Sequence, residues 1–95
     1  MPAHMVLCNF TDQGARNIRE APSRRVRELA QKLGVDIKAG YLATGPYDLV
    51  IHVEAPNDEA IATFLSSIGS NGNVQTTTLK LFPNAEFEKA LAGVV

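Results

Sequence analysis

A chain of 95 residues, 45% hydrophobic and 20% charged, is one domain's worth of polypeptide, so residues 1–95 are expected to form a single unit. The formal net charge of -1 excludes a strong general affinity for nucleic acid or for an anionic membrane. No stretch approaches the roughly 20 apolar residues of a membrane span, and a mean hydropathy near zero carries no signature of disorder. The single cysteine, Cys8, rules out an intrachain disulfide and suits a reducing compartment. Met1-Pro2-Ala3-His4 lacks the basic and apolar regions of a signal peptide, so a cytoplasmic location is expected. A domain this small leaves much of its surface in water, and association with copies of itself is a common remedy.

The segment Met5 to Phe10 reads as a strand that is apolar on both sides. Met5 and Leu7 point one way; Val6, Cys8 and Phe10 point the other. Thr11 or Asp12 can cap a short helix over Asp12 to Arg19, because a short side-chain oxygen accepts a free helix N–H. Pro22 disfavours helix at Ala21 and suits the first position of a second helix. There Val26, Leu29, Ala30 and Leu33 form one apolar stripe, and Gly34 ends the helix as a left-handed cap.

Val35, Ile37, Ala39 and Tyr41 alternate with polar or small residues, predicting a strand with one buried face. Thr44-Gly45-Pro46 is a turn, and Tyr47 to Glu54 is the next strand, which places the two in a hairpin. Leu49, Ile51 and Val53 share one of its faces; Val50, His52 and Glu54 share the other. Asn57 or Asp58 caps a helix with the stripe Ile61, Phe64, Leu65 and Ile68. Gly69 to Asn73 is a loop, and Gln75 to Phe82 is a last strand stopped by Pro83. Asn84 caps a terminal helix through Leu91.

The order β-α-β-β-α-β predicts an α+β, ferredoxin-like fold: a four-stranded antiparallel sheet with two helices on one face. Because the first strand is apolar on both sides, the helix-free face calls for a cover, and a twin domain is the simplest one.

Two segments resemble a known family. They are Val6-Leu7-Cys8-Asn9-Phe10-Thr11-Asp12-Gln13-Gly14, continuing to Asn17-Ile18 and Pro22, and Gly45-Pro46-Tyr47-Asp48. Together they resemble the GYD domain family over nearly the whole chain, from about Pro2 to Phe87-Glu88-Lys89. The resemblance implies a ferredoxin-like fold of the dimeric α/β-barrel type, and it brings no reaction with it.

Three constellations are candidates for chemistry. Thr11, Asp12, Gln13 and Gly14 leave the first strand and enter a helix, whose N–H groups attract anions. Gly45 and Pro46 shape the hairpin turn, and Tyr47 and Asp48 open the third strand, which runs antiparallel beside the first, so Thr11, Gln13, Tyr47 and Asp48 are expected around one cleft. The alternative is that Asp48 braces the turn while Thr11 and Asp12 cap the helix. Second, Cys8 and His52 sit on adjacent strands, where a cysteine beside a histidine can be an activated nucleophile. Against that, a lone buried cysteine usually behaves as a small hydrophobe, and His52 suits an interface or pocket wall. His4 and His52 lack the spacing of metal ligands, so no metal is expected. Third, Arg16, Arg19, Arg24, Arg25 and Arg27 concentrate basic charge in one helical region and read as a solvated face. No phosphate loop or serine nucleophile elbow is present in the sequence, and no cofactor is expected.

The leading reading is an oligomeric module that binds a small ligand and has a regulatory role. Its self-partner makes a homodimer or larger assembly, with Thr11, Gln13, Gly45, Tyr47, Asp48 and His52 as ligand contacts. In architecture it resembles the effector domains of leucine-responsive transcription regulators. The rival is a cofactor-free enzyme of the dimeric α/β-barrel type, monooxygenase- or isomerase-like, with His52, Tyr47 or Asp48 as acid or base. A structural assembly unit is a third reading.

Overall fold

The computed structural model describes residues 2–17 and 22–95. Among these the element order is β1 (Ala3–Phe10), α1 (Asp12–Arg16), α2 (Pro22–Leu33), β2 (Asp36–Leu42), β3 (Leu49–Glu54), α3 (Asp58–Ser70), β4 (Val74–Leu81) and α4 (Asn84–Ala92). The strands form one antiparallel sheet in the order β2-β3-β1-β4. This is the ferredoxin-like arrangement expected from the element order. The expected end of the first helix at Arg19 and the break at Ala21 lie outside the described residues.

Antiparallel partners point to the same face, so the register sorts the side chains. Val6 pairs with Ile51 and Cys8 with Leu49. That face receives Ala30 of α2 and Ile61, Phe64 and Ile68 of α3 to form the core. Phe64 is fully buried, which by area alone favours folding by about 2–3 kcal/mol. Both helical stripes turn inward as their spacing predicts: Val26, Leu29 and Leu33 pack around buried Ala30, and Leu65 packs beside the buried α3 residues.

The helix ends follow local chemistry. At the end of α2, Gly34 has φ 74°, Val35 N–H donates to the Ala30 carbonyl at 2.9 Å and Gly34 N–H to that of Gln31 at 3.4 Å. These are the two bonds of a Schellman motif, and they need a left-handed residue between them. Asn57 caps α3 by accepting from Ala60 N–H at 2.8 Å. At α4 the expectation changes: the capping position is Pro83, which makes no side-chain cap bond, and Asn84 is the first helical residue.

Strand β2 departs from simple alternation. Ile37 pairs with Val53 but Ala39 pairs with His52, so Lys38 is an extra residue in a β-bulge. A one-residue slip sends everything after it to the other face. Ile37 therefore packs on the core, whereas Ala39 and Tyr41 share the helix-free face with His52 and Val50. The predicted single buried face of Val35, Ile37, Ala39 and Tyr41 is thus split, and Tyr41 is 61% exposed. Two strands also begin differently from expectation: β3 starts at Leu49 rather than Tyr47, and β4 at Val74 rather than Gln75.

The helix-free face carries Met5, Leu7, Val50 and His52, half-buried between strands, with Tyr41 and Leu79 more exposed. Helices α2 and α3 pack on the opposite face, and α4 buries no side chain.

Candidate functional site

The two motif segments meet at one corner of the sheet, where β1 ends and β3 begins. The β1–β3 ladder stops at Cys8 and Leu49. Just beyond it, Asp48 takes over. Its N–H donates to the Cys8 carbonyl at 2.9 Å, its carbonyl accepts from Ala43 N–H at 2.9 Å, and its carboxylate Oδ2 accepts from Phe10 N–H at 2.9 Å. A backbone N–H left without a partner in a half-buried place is costly, and the carboxylate removes that cost. Gly45, at φ 132°, shapes the turn that delivers Asp48, in a backbone region that side chains avoid.

The segment after β1 grips the loop between α3 and β4. Thr11 N–H donates to the Asn73 carbonyl at 3.0 Å. The Thr11 hydroxyl donates to the Gly72 carbonyl at 2.6 Å and accepts from Gly14 N–H at 3.0 Å, which caps α1. Gln13 Nε2 donates to the Asn71 carbonyl at 3.1 Å and to Asn73 Oδ1 at 3.3 Å. Asn17 Nδ2 reaches the same Oδ1 at 3.4 Å. Gly14 is buried against this loop. A Cβ there would overlap the Asn73 carbonyl oxygen and lie 2.8 Å from its carbon.

The corner sets Asp48 against Phe10, and Thr11 and Gln13 against the loop before β4, while Gly45 and Tyr47 belong to the segment that leads into Asp48. His52 is not among them. It lies three residues along β3 from Leu49, about 10 Å at strand rise, on the helix-free face opposite Met5. In this chain Asp48 braces the turn and Thr11 caps the helix, as the alternative reading had it. The role of Asn71 to Asn73 was missed from the sequence. The signal was there: β4 lies beside β1, so Phe10 must face Val74 and the loop before it must touch Thr11.

The Cys8 and His52 pairing does not form. Cys8 shares the core face with Leu49, while His52 shares the other face with Met5, so the sheet itself separates them. Burial pushes the Cys8 thiol up to about 11, which keeps it protonated and poorly nucleophilic at neutral pH. His4 is also on the core face, 5% exposed, with Nδ1 unpartnered, so the sheet separates the two histidines as well. Arg16, Arg24, Arg25 and Arg27 are exposed; Arg19 lies outside the described residues. A cleft of about 380 Å³ beside them is lined by Arg25, Glu28, Leu29, Gln31 and Lys32, all from α2 and none from the corner.

The family model described as GYD domain matches residues 4–91. A Thermus thermophilus protein named glutamine synthetase and cystathionine beta-lyase binding protein is 38% identical over 90 residues, 90% of this chain and 94% of that one. Among solved structures, TTHA0845 from Thermus thermophilus superposes with a TM-score of 0.57 at 26% identity, over 87% of this chain and 95% of that one. The feast or famine regulatory protein of M. tuberculosis, solved with L-methionine, superposes with a TM-score of 0.67 at 16% identity, over 87% of this chain. The chain spans about half the length of that regulator, 51%, and the likeness there is one of fold.

Proposed function

The chain belongs to the GYD domain family, and we propose that it acts as a regulatory binding module, pairing with a second copy of itself and docking on a metabolic enzyme. The observation that carries this reading is the asymmetry of the sheet. One face is sealed by α2 and α3, while the other presents Met5, Leu7, Val50 and Tyr41 to solvent in a single chain. Such a face is stabilised by a partner. The T. thermophilus relative is named for binding glutamine synthetase and cystathionine beta-lyase, which supplies the class of larger partner. Of the residues nominated for catalysis, the Asp48 carboxylate holds Phe10 N–H, and Cys8 and His52 face opposite ways.

The test uses purified glutamine synthetase and cystathionine β-lyase from the source of this chain. Each is immobilised and titrated with the module by interferometry, and its turnover is followed with and without the module. Saturable binding to either enzyme is the expected result. If neither binds and the module sediments as a monomer at micromolar concentration, the reading fails.

A second reading concerns an amino-acid-sized ligand and rests on the neighbour solved with L-methionine. Its contacts would be Tyr47, Gln13 and Gly45 at the corner, with Thr11 and Asp48 behind them and His52 supplied across the paired face. A thermal-shift panel of free amino acids tests it. A stabilisation that Tyr47→Ala removes supports it; no shift at millimolar ligand discards it.

A further inference from the structure

The outermost element, α4, is as conspicuous as the open sheet face. No side chain of α4 is buried. Yet Phe87 and Leu91 stand at i and i+4 on one side of the helix, and Val94 follows just past its end. They are 54%, 51% and 71% exposed. A nine-residue helix of this kind is not stable in water by itself, because its few hydrogen bonds do not offset the cost of nucleation. It needs a surface.

The dimensions say where the arm goes. A folded chain of this length has a radius of gyration of about 12 Å, whereas this one has 14.7 Å and a longest extent of 50 Å. Strand β4, the Phe82-Pro83 link and α4 laid end to end come to about 47 Å at standard rises. Pro83, extended at φ -56° and ψ 153°, thus sends α4 onward from the sheet rather than back across it. The surface area gives the same answer. A monomer of 10.2 kDa exposes about 5,300 Å² when fully compacted, and this chain exposes 6570 Å². The excess exceeds the ~800 Å² that each partner contributes to a standard stable interface.

We infer that α4 is an exchange arm: in the homodimer, Phe87 and Leu91 of each chain, with Val94 just beyond the helix, lie on the helix-free sheet face of the other, against Met5, Leu7 and Leu79. Exchange of identical elements closes a two-fold pair, in which both unpartnered surfaces are covered by one operation. It rests on the dimeric reading above and adds what completes the interface. The short Phe82-Pro83 link favours the second copy over the chain's own sheet, because a return over the chain's own face needs a reversal that extended Pro83 does not make.

The test compares the full chain with a full-length Phe87→Asp, Leu91→Asp variant by sedimentation equilibrium. Circular dichroism checks that each is folded, as expected when no α4 side chain lies in the core. The expected result is a dimer for the parent and a dissociation constant raised by at least about tenfold for the variant. A monomeric parent overturns both the dimeric reading and the arm. A dimeric parent with an equally tight variant leaves the dimer standing and overturns the arm alone. Cross-linking then fixes the occupant, in a Cys8→Ala background with a short bis-maleimide. Chains carrying Leu91→Cys mixed with chains carrying Leu7→Cys are expected to link as a heterodimer. Linking of Leu91→Cys chains to one another, or an internal bridge when both changes are in one monomer, overturns the exchange.

Discussion

Replacing Gly14 by alanine tests the account of the corner most directly. The added Cβ would overlap the Asn73 carbonyl, and its neighbours are backbone atoms that no rotamer change can move aside. The loop must shift, and it is held by the Thr11 N–H bond to Asn73 at 3.0 Å and the Thr11 hydroxyl bond to Gly72 at 2.6 Å. Overpacking of this kind costs about 1–3 kcal/mol, and each strained hydrogen bond adds about 1 kcal/mol. Set against this is the gain of about 1 kcal/mol for alanine over glycine inside a helix. The net expectation is a loss of about 2–4 kcal/mol, a large share of the roughly 5–14 kcal/mol of a domain this size. The control is Gly69→Ala, within α3 with nothing within 4 Å of its Cβ, which is expected to stabilise by up to about 1 kcal/mol. Urea unfolding followed by circular dichroism measures both. If Gly14→Ala unfolds within about 0.5 kcal/mol of the parent, the close packing of α1 on the α3–β4 loop is wrong.

The remaining predictions concern Asp48 and Cys8. Asp48→Ala leaves Phe10 N–H without its acceptor and is expected to cost about 1–3 kcal/mol in urea unfolding. Asp48→Asn keeps an acceptor oxygen and is expected to lose less; equal losses would show that the hydrogen bond is not what Asp48 contributes. For Cys8, the folded thiol titrates near 11 against an unfolded value of 9.0, so the unfolded chain releases its proton first as pH rises. Stability from this group is full below pH 9.0 and is lost between there and about 11. The whole loss amounts to roughly 2–3 kcal/mol. Cys8→Ala should flatten that part of the profile, measured as urea midpoints against pH. In the folded parent, iodoacetamide should label Cys8 at pH 8 far more slowly than in urea, and equal rates would contradict its burial.

Much of the architecture was legible before any coordinates. Alternation in β1 and β3 assigned each residue to a face, and the α2 and α3 stripes named the helix sides that meet the core. Gly34 announced its own cap, since a Schellman turn depends on one residue's freedom. These are local properties, set by periods of two and 3.6 residues and by single-residue conformational preference. Even the approach of Asp48 to the end of β1 followed from strand order, because neighbouring antiparallel strands bring the end of one to the start of the other.

Only the tertiary structure decided the rest. The bulge at Lys38 sent Tyr41 to the open face against the strand's own alternation, since register is settled by pairing with β3 and not within β2. Asp48 became a brace because the β1–β3 ladder ends one pair earlier and leaves Phe10 N–H to be satisfied. Cys8 and His52, neighbours by strand order, were parted by the parity of one residue in the β1–β3 register. The sequence by itself determined a four-stranded, two-helix domain with an apolar second face. The use of its chemistry-bearing residues depended on contacts between distant segments, such as Thr11 and Gly72, 61 positions apart, which no local pattern encodes.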